Sequence, residues 1–169
     1  MALRTVILTQ QGERAPLAKS LKIIIKLTWK NAVNLNLHAF CQERESDLFG
    51  HIYANNRGKL YHPPCIQFDA EDNNEAMISI NTLTHVESIL IAVSVKQKFG
   101  FFSAEKKFAE YGGKLTLEIS QRNPIEVFLD TEEVGKWCIM VKIDNLDPSN
   151  PQVIKLNKVQ KSEPKLKDF

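Results

Sequence analysis

Leu21-Lys22-Ile23-Ile24-Ile25-Lys26-Leu27-Thr28-Trp29-Lys30 carries an apolar side chain at every odd position, with Lys, Ile, Lys, Thr and Lys at the even ones. Successive strand residues point to opposite faces, so this stretch reads as a strand with one buried and one wet side. Leu115 to Ser120, Ile125 to Asp130 and Trp137 to Ile143 repeat the pattern. Ile89-Leu90-Ile91-Ala92-Val93-Ser94-Val95 is apolar on both sides and predicts a central strand covered on both faces. Further strands are expected over Leu48 to Ala54, Lys59 to Tyr61, Ile66 to Asp69 and Met77 to Asn81, with Val153 to Val159 as a last, edge strand.

Turn chemistry separates these runs. Asn55-Asn56-Arg57-Gly58, Tyr111-Gly112-Gly113, Arg122-Asn123-Pro124, Glu133-Val134-Gly135 and Asp147 to Pro151 are clusters of turn formers. Ser103 to Glu110 is the exception, with a serine N-cap, good helix formers and Gly112 to end it. Many short strands and one short helix predict an all-β fold, a two-sheet antiparallel β-sandwich.

A chain of 169 residues, 43% hydrophobic, is long enough for one core. We assign one domain to residues 1–160 and a polar tail, expected to fray, to residues 161–169. With 22 Lys and Arg against 20 Asp and Glu the net charge is +2, so no nucleic-acid footprint is expected. The basic tail, with Lys155, Lys158, Lys161, Lys165 and Lys167, reads as solvated, with a peripheral contact to an anionic membrane or to nucleic acid as the alternative. No apolar run approaches the length of a membrane helix, and the N-terminus does not read as a signal peptide, which makes a reducing, cytoplasmic setting the expectation. Cys41, Cys65 and Cys138 are widely spaced and read as buried free thiols.

Asp69-Ala70-Glu71-Asp72-Asn73-Asn74-Glu75 collects four carboxylates and two amides between two strands, with no Lys or Arg among them. Such oxygens suit a hard cation such as calcium; a solvated acidic hairpin is the alternative. Asn34 and Asn36 share one strand face and could converge on the same loop. Phe99, Phe101 and Phe102 read as a core plug or as an exposed partner-binding patch. No enzyme motif is visible. A nucleophile–base couple of Cys41 or Cys65 with His38, His51, His62 or His85 is the residual hydrolase reading.

Taken together the segments resemble the TerD-like tellurium-resistance and stress-response family, most of all its TerA-like branch. Leu8-Thr9-Gln10-Gln11-Gly12 is similar to its N-terminal strand and turn, and Trp29 followed by Asn34-Leu35-Asn36 to its tryptophan and Asp-Leu-Asp. Pro63-Pro64-Cys65-Ile66-Gln67-Phe68-Asp69 is similar to a "P-P-Y-I-x-L-D" stretch, and Glu75 to Asn81 to an "E-x-x-x-I-N" strand. Trp137 to Ile139 and Ile143 to Asn145 match a late strand and its exit, so the resemblance runs from about Leu8 to Val159. It implies a non-enzymatic module working in a stress-response protein assembly, with a calcium site carried over onto Asn34, Asn36, Asp69, Asp72 and Glu75. Two of the family's charged ligands are asparagines here, which implies a weak calcium site or none. A metal-free protein-interaction domain using an aromatic patch or a sheet edge is the second reading, and oligomeric state is left open.

Overall fold

Ile23, Ile25 and Leu27 are fully buried while Ile24, Lys26 and Thr28 are half-exposed, the alternation read from the sequence. In the computed structural model, which describes residues 2–30, 34–96 and 106–169, these residues form β3 (Ile23–Thr28), inside the first of two six-stranded sheets. It pairs antiparallel with β7 (Glu75–Ile80) and with β9 (Lys114–Ile119). The registers Ile80–Ile23–Ile119, Ile78–Ile25–Leu117 and Ala76–Leu27–Leu115 stack three apolar rows on the inner face. Beyond β9 lie β10 (Ile125–Phe128) and β1 (Val6–Leu8), the latter parallel to β10; beyond β7 lies β6 (Ile66–Asp72) at the opposite edge.

The second sheet runs β2 (Arg14–Pro16), β12 (Gln152–Gln160), β11 (Trp137–Asp144), β8 (Val86–Val95), β4 (Leu35–Glu43) and β5 (Phe49–Ile52). β8 lies between β4 and β11, covered on both faces as its composition predicts. The chain is therefore the expected all-β sandwich, antiparallel except for β1. β12 is not the edge strand expected, because Arg14 to Pro16 pair with its first half. Lys59 to Tyr61 form no strand; Gly58 makes a single bridge to Gln67 there. Only part of the expected helix is described, a 3₁₀ turn over Phe108–Tyr111 that stops at Gly112, held at φ 61 where glycine carries no Cβ penalty. Phe99, Phe101 and Phe102 lie outside the described residues, so the aromatic plug or patch read there has no structural account.

The two sides of the second sheet bury different things. Leu35, Leu37, Ala39, Cys41, Ile89, Ile91 and Val93 face the core between the sheets. Phe40, Leu90, Ala92 and Ile139 form a separate apolar cluster on the outer side. The last nine residues cover it, which corrects the expectation that they fray. Pro164 is buried, Leu166 and Phe169 pack on that cluster, and Leu166–Asp168 is a 3₁₀ turn. The polar count of the tail hides its two apolar anchors, spaced three residues apart so that they fall on one side of such a turn. Among the described residues no helix is long and apolar enough to cross a membrane.

Candidate functional site

Strand alternation puts His38 and Phe40 on the outer face of β4, because Leu37, Ala39 and Cys41 face inward. β5 pairs with β4 so that His51 lies opposite Phe40, which brings His51 to the same side. Gly50, opposite Cys41, makes this pairing possible: a Cβ there would sit 2.8 Å from the Cys41 sulfur. The rings then stack in a band, Phe40 on His51 at 4.2 Å and His51 on Tyr53 at 4.2 Å. Trp137 of β11 closes it, 4.6 Å from the His38 ring.

A chain of hydrogen bonds runs through these rings. Glu163, from the C-terminal segment, lies 3.2 Å from His51 Nδ1. A carboxylate only accepts, so His51 Nδ1 carries the proton and, in the neutral ring, Nε2 is left to accept. His38 Nδ1 donates to that Nε2 at 2.9 Å. His38 Nε2 in turn accepts from the Ser94 hydroxyl at 2.8 Å. Every member thus has a consistent direction, from Ser94 through His38 and His51 to Glu163. His38 is 5% exposed, and burial, aided by repulsion from His51, pulls its pKa from 6.5 to about 3. His51 is lowered by its own burial, against which Glu163 works.

The order hydroxyl, imidazole, imidazole, carboxylate has the sense of an activated nucleophile. Ser94, however, is only 8% exposed, and its face of the sheet is roofed by Trp137 and the C-terminal segment. In this form the relay orients and fixes; it does not present an open oxygen to a substrate. The cysteine–histidine couples read from the sequence are not formed. Cys41 faces the core on the side of β4 opposite His38, and burial pushes its thiol up to about 11. Cys65 and Cys138 are buried too, and their thiols are raised for the same reason.

The five residues assembled on the family resemblance do not converge, a correction forced by the sheet geometry. Asn36 points to the outer side of the second sheet, between the core residues Leu35 and Leu37. Asp69 points to the outer side of the first sheet, where it accepts from Ser79 Oγ and, at 3.3 Å, from Gln67 Nε2. The whole sandwich lies between them. Asp72 caps the neighbouring Asn73 amide at 2.7 Å, and Glu75 pairs with Lys26 at 3.6 Å. The Asn34 carbonyl accepts from the Lys96 amide at 2.9 Å, and the Lys96 ammonium reaches across to Glu71 at 2.7 Å. The acidic hairpin has no basic residue in its own sequence, yet Lys26 of β3 and Lys96, just past β8, pair with its carboxylates, and Arg57 donates to the Asp69 carbonyl. Among the described residues no three His, Cys, Asp or Glu side chains are grouped as a metal ion would need.

A second polar site lies on the opposite flank, in an open cavity of about 580 Å³ lined by Thr9, Gln11, Asp130, Glu133, Lys155 and Asn157 among others. Lys155 is only 2% exposed; its ammonium donates to Thr9 O at 2.9 Å and to both Asp130 oxygens at 3.2 Å. This removes Lys155 from the basic tail read in the sequence. Lys158 is also engaged, its ammonium 5.0 Å from the centre of the Phe169 ring.

No family model matches the chain, and no curated protein does, so the TerD-like resemblance gains no support from either. A solved structure described as that of an unknown-function protein, SAV2460, matches with a TM-score of 0.56 at 10% identity. The match covers 85% of this chain and 94% of that one. At such low identity the likeness is one of fold alone.

Proposed function

We propose that this chain is a non-catalytic protein-binding module whose recognition face is the outer side of the second sheet. The observation that carries this reading is the apolar and aromatic surface of Phe40, Leu90, Ala92, Ile139 and Trp137, roofed by a nine-residue segment rather than by a layer of the fold. The segment's polar fastenings are individually weak. The hydrogen bond from half-buried His51 to the exposed Glu163 carboxylate and that from Lys142 Nζ to the Phe169 oxygen are worth about 0.5–1.5 kcal/mol each, and the Lys158–Phe169 contact about 0.5–1 kcal/mol. Half-burial of Leu166 and Phe169 adds on the order of 1–2 kcal/mol. A cover held so lightly belongs to the low-stability end of the molecule, where binding surfaces are drawn from. The TerD-like resemblance would place such a module in a cytoplasmic stress-response assembly.

The reading is tested by panning a random peptide library on the full chain carrying Leu166→Asp and Phe169→Asp, which detach the cover without removing it. Peptides that bind saturably and shift Trp137 fluorescence are the expected result. Failure to enrich any peptide that perturbs Trp137, with the variant folded, would overturn it.

A further inference from the structure

We propose that the outer face of the second sheet is a peptide-docking groove, and that Glu163–Phe169 is a built-in occupant holding the place of a partner's segment of the same chemistry. That segment carries a carboxylate, then a proline, then two apolar side chains, with the carboxylate and the apolar groups spaced by three. The inference rests on the proposed function above and names the kind of partner the face would take.

The cis occupant shows what each part of the groove recognises. His51 Nδ1 meets the Glu163 carboxylate at 3.2 Å, and this acceptor sets the direction of the relay that continues through His38 to Ser94. A neutral or basic side chain at this position would leave that donor facing nothing of opposite sign. Pro164, next along, is buried and pre-sets its own backbone angle, which lowers the entropy cost of docking an extended segment. Leu166 then reaches the Phe40–Leu90–Ala92–Ile139 cluster.

Two lysines read the far end. Lys142 Nζ donates to the Phe169 backbone oxygen at 2.7 Å, and Lys158 lies over the Phe169 ring at 5.0 Å. A ring with an ammonium on its face and an aliphatic floor beneath is a pocket selective for an aromatic side chain. Carboxylate, apolar and aromatic subsites thus follow one another along one face. None of the lysines of the segment itself, Lys161, Lys165 and Lys167, is needed for these contacts, and all three are exposed. The specificity resides in the acid, the proline and the two apolar groups.

Only Lys161 and Ser162 join the end of β12 to Glu163, so the cis segment is held at a high effective concentration. A partner must compete with it, which makes the segment an internal threshold for binding. The experiment is titration of a synthetic peptide with the sequence of residues 161–169 into the full chain carrying Leu166→Asp and Phe169→Asp, followed by Trp137 fluorescence. Saturable binding is expected, weakened at least about tenfold for the wild-type chain and lost for a peptide with the Glu163→Lys and Phe169→Ala changes.

Equal binding of a scrambled peptide, or no binding to the folded variant, overturns the inference. If library peptides still bind this face while the 161–169 peptide does not, the proposed function stands and only the partner chemistry fails. If the variant does not fold, a nitroxide-labelled 161–169 peptide with the isotope-labelled Leu166→Ala chain, whose cover is loosened without a new charge, gives the same answer. Broadening confined to the signals of Phe40, Ala92 and Trp137 supports the groove, and its absence refutes it. A wild-type chain found as a dimer that exchanges residues 161–169 would make a second copy the occupant and overturn the proposal.

Discussion

His38 Nδ1 donates to His51 Nε2 across 2.9 Å, so two imidazoles far apart in a polar inventory of the sequence act as one hydrogen-bonded unit. Both rings must be neutral for the direction of the chain to hold. A proton added to His51 turns its Nε2 into a second donor and sets two N–H groups against each other, whereas one added to His38 Nε2 reverses its bond with the Ser94 hydroxyl. The relay therefore links the packing of the C-terminal segment to the protonation of the sheet beneath it.

Stability should fall on acidification, and the sign follows from the His38 site. Its pKa is about 3 folded and near 6.5 unfolded, so between these values the unfolded chain binds the extra proton. The stabilisation is present above pH 6.5 and is lost as pH drops below it. Moving from pH 7 to pH 5 should cost about 2 kcal/mol from this group alone, with His51, also lowered, adding in the same sense. Urea denaturation at the two pH values measures it. His38→Phe should lower stability at pH 7, because Ser94 and His51 lose a partner, and should remove about 2 kcal/mol of the pH-dependent difference. An undiminished pH dependence in that variant would show that the titrating group is elsewhere.

Asp130 and Lys155 should prove unequal partners. Lys155 is buried and Asp130 is 55% exposed at its side chain, so the two lose different things when parted. Asp130→Ala leaves a buried ammonium bonded to Thr9 O alone and should cost about 1–3 kcal/mol. Lys155→Met removes the charge that needs a partner and leaves Asp130 with Asn157, at 2.6 Å, and water. Its cost should stay within about 1 kcal/mol, and the double variant should be more stable than Asp130→Ala. Denaturation midpoints that rank Lys155→Met as the worse variant would contradict this account.

The sandwich was legible because period-two alternation is a local signal, and Leu21 to Lys30 or Leu115 to Ser120 carry it without knowledge of their neighbours. The site was less so. Alternation along β4 puts His38 beside Phe40 and turns Cys41 to the other face, which the pairing of Cys41 with any histidine in the sequence reading left out of account. Nothing local joins His38 to His51, Ser94 and Glu163, which meet only through the pairing of β4 with β5 and β8 and the return of the C-terminal segment. The same blindness to topology put Asn36 and Asp69 in one imagined site, although membership in different sheets turns them to opposite sides. Counting charges in Asp69 to Glu75 likewise missed Lys26, which arrives from β3, and Lys96, from just past the end of β8. The tail was misread because a polar average outweighed Pro164, Leu166 and Phe169, three side chains whose spacing mattered more than their number.

The cysteines offer a direct check on which side of each strand faces inward. Cys41, Cys65 and Cys138 are all free and buried, and desolvation disfavours each thiolate, the species that reacts with disulfide reagents. The native chain at pH 8 should therefore show no rapid reaction with a small aromatic disulfide, while urea should release all three thiols at once. The slow native reaction should report opening of the sandwich, since Cys41 and Cys138 lie in the main core. Because Cys41 shares β4 with His38, its labelling rate also tests the alternation on which the relay depends. A Cys41 that reacts within seconds in the folded chain would mean that β4 is turned over, with its histidine inside. A Cys41 that stays silent until unfolding leaves His38 facing the C-terminal segment, where its hydrogen bonds to Ser94 and His51 require it to be.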